Sequence, residues 1–262
     1  MAATIVIAGV RSGVGKTTSS VNLAASLAAT RKKVLLVDID PQGNATSGAG
    51  VDKYEPEYTV HDVLMGDVDM EQALVGTPED SGFDLIAANG DLTAAEVQLL
   101  DMKMREFRLR NALARIRGNY DYIIVDCPPS LNMLTVNALT AADSVIVPIQ
   151  CEYYALEGLS SLLETVRQIR DSVNPGIQIE GLLRTMFDPR NRLSNEVSAQ
   201  LIKHFEDKVY QTIIPRNVRL AEAPSFGVPI MFHDPRSAGA RAYKNLAREI
   251  IRLEATPQAG TA

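Results

Sequence analysis

The sequence predicts a single α/β domain, a mainly parallel, twisted β-sheet flanked by helices on both faces. Three observations predict it. Short β-branched runs alternate with longer segments of helical periodicity along the chain. The 262 residues are 46% apolar, enough to bury a full core. Neither an internal repeat nor a low-complexity linker divides them.

In order, strands are expected at 4–8, 34–38, 83–87, 122–126, 144–149, 178–184 and 209–213, where aliphatic and β-branched residues cluster. A helix is expected at 17–29. A long one is expected at 94–117, with Leu99, Leu100, Met104, Leu109, Leu113 and Ile116 in rough helical register. A third, at 154–172, places Leu156, Leu159, Leu162, Leu163, Val166 and Ile169 on one face. Helices at 194–205 and 238–253 complete the set. The domain is expected to span 1–254, with 255–262 (Ala-Thr-Pro-Gln-Ala-Gly-Thr-Ala) a disordered tail.

Composition excludes several classes of function. Cys127 and Cys151 are too few for a disulfide framework or a zinc cluster, and both sit in apolar runs, as small buried side chains of a reducing cytosol do. No stretch reaches the roughly 18 apolar residues of a membrane span. The opening residues lack the charged segment of a signal peptide. A soluble, cytoplasmic protein is expected. The net charge of −6 argues against general coating of nucleic acid, yet it hides an asymmetry. Residues 1–183 carry 14 Lys and Arg against 24 Asp and Glu, whereas residues 184–252 carry 12 against 7. A basic C-terminal quarter on an acidic body suggests a local footprint for phosphates.

The chemistry concentrates after the first strand. Gly13-Val14-Gly15-Lys16-Thr17-Thr18 follows a predicted strand and opens a predicted helix, the context of a phosphate-binding loop. The two glycines let successive N–H groups converge on phosphate oxygens, and the helix adds its positive end. Lys16 is expected to reach the outer phosphates of a nucleotide and the Thr17 hydroxyl to ligate Mg²⁺. Val34-Leu35-Leu36-Val37-Asp38-Ile39-Asp40 is an apolar strand ending in two acids on one face. Tyr122-Ile123-Ile124-Val125-Asp126-Cys127-Pro128-Pro129 ends likewise in an acid, the Walker B pattern, with the prolines stopping the strand. Asp126 is expected to hold Mg²⁺ through water.

The usual G-x-x-x-x-G-K-[ST] loop has glycine where this chain has Val10. That deviant form resembles the ParA/MinD group of P-loop ATPases, whose fold is the α/β arrangement expected above. The run Asp38-Ile39-Asp40-Pro41-Gln42-Gly43-Asn44-Ala45-Thr46 closely resembles the ParA signature, and Gln150-Cys151-Glu152-Tyr153-Tyr154-Ala155-Leu156-Glu157-Gly158 resembles chromosomal and plasmid ParA/Soj proteins in particular. The resemblance covers Ile5 to about Leu253. It implies an ATPase in which ATP and Mg²⁺ close a sandwich homodimer. That dimer binds double-stranded DNA non-specifically on the nucleoid, and a ParB-type partner stimulates slow hydrolysis and release.

By the same resemblance, Ser12, Gly13, Val14, Gly15, Lys16, Thr17 and Thr18 contact the nucleotide. Asp40 positions the attacking water, and Asp38 supports the Mg²⁺ shell beside Thr17 and Asp126. Pro215 and Asn217 flank the base. The group's signature lysine, which crosses a dimer interface to the partner's phosphates, corresponds to Arg11. Gly9 and Val10 stand for the usual Asn-Gln, and Ser12 stands for glycine. Arginine's planar fork suits phosphate oxygens in trans, but Ser12 lacks glycine's freedom at positive φ, so a hydrolysis-impaired variant is the alternative expectation.

The expected DNA contacts are Arg190, Arg192, Arg216, Arg219, Arg236, Arg241, Lys244 and Arg248. With no aromatic interleaving and no base-reading helix, they would touch phosphate alone. Ala238 stands where many relatives have another arginine. A second basic run, 103–110 extending to Arg117, reads as a solvated helix face or a partner-docking face. A MinD-like membrane switch would need a basic amphipathic C-terminal helix, and Arg248-Glu249-Ile250-Ile251-Arg252-Leu253-Glu254 is short and mixed in charge. No membrane partner is expected. A nucleoid-tracking ATPase that positions a protein cargo shares every motif above. An iron–sulfur reductase of related fold would need cysteines in glycine-flanked loops, which this chain lacks.

Overall fold

The structure is a computed structural model that describes residues 2–9, 11–78 and 81–255. Among these, the expected alternation closes into one sheet of seven strands. They are β1 (Ala3–Ile7), β2 (Val34–Asp38), β3 (Leu74–Gly76), β4 (Asp84–Ile86), β5 (Tyr122–Asp126), β6 (Ser144–Gln150) and β7 (Gln178–Thr185). Their order is β3-β4-β2-β5-β1-β6-β7. Every pairing is parallel except the short edge pair β3 and β4.

The helices are α1 (Lys16–Ala28), α2 (Asn44–Gly48), α3 (Val60–Met65), α4 (Leu92–Gln98), α5 (Arg108–Ile116), α6 (Met133–Ala141), α7 (Ala155–Ser172), α8 (Arg192–Phe205), α9 (Val218–Glu222), α10 (Ile230–His233) and α11 (Ala238–Ala255). Strand alternation sorts the core into two layers. Val6, Leu35, Val37, Ile123 and Val125 face one side, with residues of α3, α5, α6 and α7. Ile5, Ile7, Leu36 and Ile124 face the other, with α1 and α11. Because β1 sits between β5 and β6, the chain leaves it at a reversal of strand order, where open parallel sheets form their ligand cleft. β6 carries Pro148, two residues beyond Ile146, its last partner on β1.

Two expected elements are corrected. The single helix at 94–117 is broken: α4 ends at Gln98, Met102 is extended, Met104 takes φ 53°, and α5 starts at Arg108. Asn137 of α6 causes the reversal to hold, accepting from Leu109 N–H at 3.1 Å and donating to the Arg105 carbonyl at 2.8 Å. Leu99, Leu109, Leu113 and Ile116 are buried, but Leu100 and Met104, assigned to the same stripe, are exposed. The basic run 103–117 therefore does not form one face. Arg108 donates to the Leu64 carbonyl, Arg117 to the Ala2 carbonyl and Asp143, and Arg115 pairs with Asp69.

The strand expected at 209–213 is absent among the described residues; only isolated bridges, Leu182 with Val209 and Phe187 with Pro215, remain. The Tyr210 ring packs so close over Gly181 that a Cβ there would lie 2.4 Å from it. Side chains, rather than a neighbouring strand, take several of the backbone groups.

Helix α6 escaped the sequence reading because its residues are apolar or small on nearly every side, leaving no stripe to detect. Of the expected tail, Ala255 is still helical, and 256–262 lie outside the described residues.

Candidate functional site

β1 delivers the chain into a loop that turns at Gly13 (φ 75°) and Gly15 (φ 90°), conformations that glycine alone adopts freely. Gly15 then becomes the N-cap of α1, so the loop's amides and the helix end face the same space. Val10 lies outside the described residues. Ser12 is not among the described non-glycine residues with positive φ, so serine sits there without backbone strain. Thr185 at the end of β7 braces the loop, donating to the Val14 carbonyl at 2.8 Å. Lys16 is 7% exposed and donates to the Arg11 carbonyl at 2.8 Å. Burial pushes its ammonium below the ordinary lysine range, while the carboxylates of Asp126 and Asp40 oppose that shift.

The register of β2 on β5 pairs Asp38 with Asp126, bringing two acids side by side at the carboxyl end of the sheet. Both are fully buried. Asp126 accepts from Thr17 at 2.8 Å and from Ser20 at 2.7 Å. Asp38 accepts from the Thr46 N–H and hydroxyl, each at 2.8 Å, and from the Asp40 N–H at 3.1 Å. Burial and then the charge of Asp126 push the Asp38 carboxyl up. Burial also pushes Asp126 up, against its two hydroxyl donors. Two acids and a threonine hydroxyl supply hard oxygens of the kind that bind cations, and here each carboxylate oxygen accepts from a protein donor.

Asp40 accepts from the Gln42 N–H at 2.9 Å and lines the adjoining cavity. This cavity, of about 380 Å³, brings together Ser12, Gly13, Gly15, Lys16, Thr17, Thr18, Asp40, Pro215 and Asn217. Val14 points the other way, into a separate pocket of about 220 Å³ that it shares with Arg11, Gln150 and Glu152. The Arg11 guanidinium rests 5.8 Å from the Tyr154 ring centre. Asp38 and Asp126 lie beneath the cavity rather than in its wall. Asn217 spends its side-chain oxygen capping α9, on the Leu220 N–H at 2.9 Å.

Several site residues were not singled out from sequence. Thr46 orients Asp38, Ser20 orients Asp126, and Met186, Leu220 and Tyr243 line the cavity's apolar end. Thr46 could have been found, since it closes the signature run that begins at Asp38. Met186 holds φ 48°, an uncommon conformation for an unbranched long side chain. Tyr243 meets the site only through α11, donating to or accepting from Ser19 at 3.1 Å.

The eight expected DNA contacts do not form one free array. Arg190 binds Asp188 at 2.9 Å, Arg192 binds Glu196 at 2.8 Å, and Arg219 binds Glu222 at 3.0 Å. The Arg190 hydrogen bonds hold the Asp188 carboxyl down at about 2. Arg241, Lys244 and Arg248 recur at helical spacing on α11, and Arg241 and Arg248 line a groove of about 820 Å³ against Gln211, Thr212 and Pro215. No helix among the described residues is long and apolar enough to cross a membrane.

Comparison with known proteins agrees with this geometry. The AAA domain family model matches residues 2–179. The chain is 54% identical to the sporulation initiation inhibitor protein Soj of Bacillus subtilis, over 94% of this chain and 97% of that one. It is 50% identical to the chromosome partitioning protein ParA of Caulobacter vibrioides, over 98% and 97%. Among solved structures, a Mycobacterium smegmatis protein described as cobyrinic acid a,c-diamide synthase, with bound ADP and magnesium, superposes with a TM-score of 0.86. It is 38% identical over 98% of this chain and 97% of that one. The cell division ATPase MinD of Pyrococcus furiosus superposes at 0.80 with 25% identity, over 97% and 100%. A phosphate loop over two buried acids, on this sheet order and with these relatives, places the chain in the ParA/Soj family of P-loop chromosome-partitioning ATPases.

Proposed function

We propose that this chain is an ATP-driven dimerising switch for chromosome or plasmid partitioning. The observation that carries the reading is the convergence of Lys16, Thr17 and Asp40 on one cavity, with Asp126 buried directly behind Thr17. The loop amides and Lys16 bind and orient the phosphates, and Pro215 and Asn217 border the base. Thr17, with Asp126 and Asp38 through water, would hold a magnesium ion, which supplies neutralising charge at the outer phosphates. Asp40, fixed at the cavity wall by the Gln42 N–H, orients the attacking water.

Arg11 supports the dimer. It lines the pocket behind the loop rather than its own nucleotide cavity, so its guanidinium serves phosphates presented by a second copy. Arg11 in trans makes hydrolysis slow in the monomer and gives a ParB-type partner a step to accelerate. Double-stranded DNA is contacted through phosphates by the α11 row of Arg241, Lys244 and Arg248, with Arg236, whose carbonyl accepts from Arg241, next to it and Arg216 contributing from the segment before α9. Arg190, Arg192 and Arg219, paired with acids, contribute less. The protein accordingly works in the cytoplasm on the nucleoid.

The test is binding to duplexes of unrelated sequence across a salt series, with and without ATP. The expected outcome is ATP-dependent, sequence-indifferent binding that weakens steeply with salt. ATP-independent or salt-insensitive binding overturns the DNA half of the reading.

A further inference from the structure

We infer that Glu249 is a positioning residue for the nucleotide. From α11 it fixes the segment 209–217, so that Pro215 forms the cavity side against which the base rests. The inference deepens the nucleotide reading above and rests on it.

Backbone bonds to β7 and its extension hold the segment at Tyr210, Ile214 and Arg216, but between them the amides of Gln211 and Thr212 meet a side chain instead of a strand. Glu249 is only 8% exposed and spends one oxygen on the Gln211 N–H at 2.7 Å and the other on the Thr212 N–H at 2.9 Å. Two neighbouring backbone donors are thus closed by one carboxylate, a charge-assisted arrangement stronger than a neutral pair. From the opposite side Arg184, at the end of β7, donates to the Tyr210 carbonyl at 2.8 Å and to Ser198 at 3.0 Å. The peptide chain at 210–212 is therefore gripped by an acid on its N–H side and a base on its carbonyl side. Beyond that grip it runs to Ile214, whose N–H reaches the Arg184 carbonyl at 2.9 Å, and then to Pro215 and Asn217 in the cavity wall.

The same helix also reaches the phosphate side. Six residues earlier on α11, the Tyr243 hydroxyl meets Ser19 of α1, the helix that the phosphate loop opens. Helix α11 thus holds the two ends of the cavity at a fixed separation. Pro215 also lines the groove that contains Arg241 and Arg248, so one wall serves both the nucleotide and the basic groove.

A merely structural Glu249 would affect all ligands alike. A positioning Glu249 affects only ligands that own a base. The experiment is calorimetric titration of wild type, Glu249→Ala and the isosteric Glu249→Gln with ATP and with inorganic tripolyphosphate, each with Mg²⁺. Glu249→Ala should weaken ATP about tenfold, the equivalent of roughly one charge-assisted hydrogen bond. Glu249→Gln keeps one acceptor and should show a smaller loss of the same kind. Tripolyphosphate should change by less than about twofold in both, since the phosphate loop is untouched. If the alanine protein does not fold, the glutamine isostere carries the same comparison. Parallel loss of both ligands, or undiminished ATP affinity, overturns the inference. A wild type that binds ATP no better than tripolyphosphate overturns it while leaving the phosphate-loop reading intact, and a wild type that binds neither removes both.

Discussion

The two ends of the proposed nucleotide cavity are built by different means. At the phosphate end the backbone does the work: a strand stops, two glycines turn at positive φ, and a helix begins within a few residues. At the proposed base end the chain between Val209 and Asn217 is held by isolated backbone bonds to β7 and its extension and by the side chains of Arg184 and Glu249, 25 or more residues away in sequence. The first end is set mainly by local conformation, with Thr185 of β7 as a long-range brace. The second depends on long-range side chains and is the end at which distant substitutions will be felt.

The comparison can be broken most directly at Lys16. Lys16→Ala should lower affinity for ATP by at least about a hundredfold, with tripolyphosphate falling in step, because a buried cation at the phosphates is lost. Unchanged affinity for either ligand in calorimetry would remove the loop from the phosphate end. Asp40→Ala should leave ATP binding nearly intact yet cut turnover by about a hundredfold or more, the usual scale of a lost water-orienting group. A steady-state rate equal to that of wild type would exclude Asp40 from the chemistry. The smallest effect is expected at the base end. Asn217→Ala removes the cap on α9 and should cost about 1 kcal/mol in denaturant unfolding, with tripolyphosphate binding unaffected. Stability equal to wild type would show that the cap is dispensable.

Legibility from sequence followed the same division. Strands β2 and β5 lie where the sequence expects them to the residue, and Lys16, Thr17 and Asp40 meet at one cavity with Asp126 behind Thr17, because each sits at a fixed step from a strand end or glycine turn. Segment 209–213 has the composition of a strand, yet it forms none. What decides its state is Glu249 and the Tyr210 ring over Gly181, which no local pattern encodes. The helix at 94–117 failed for a related reason. Leu99 and Leu109 do belong to the core, but the register between them is reset by Asn137, nearly thirty residues on. Tyr243 was invisible because it meets Ser19 across 224 residues of chain.

Pro148 has a consequence for the phosphate loop itself. In β6 the groups of Ile146 point toward β1, where Ala8 N–H meets the Ile146 carbonyl at 3.1 Å, so by alternation the next position on that side is Pro148. An imide without a hydrogen stands where the sheet would otherwise offer the chain leaving β1 another rung. The zipper loses its next donor there by covalent necessity, so β6 offers no N–H to the Ala8 carbonyl as the chain departs toward the turn at Gly13.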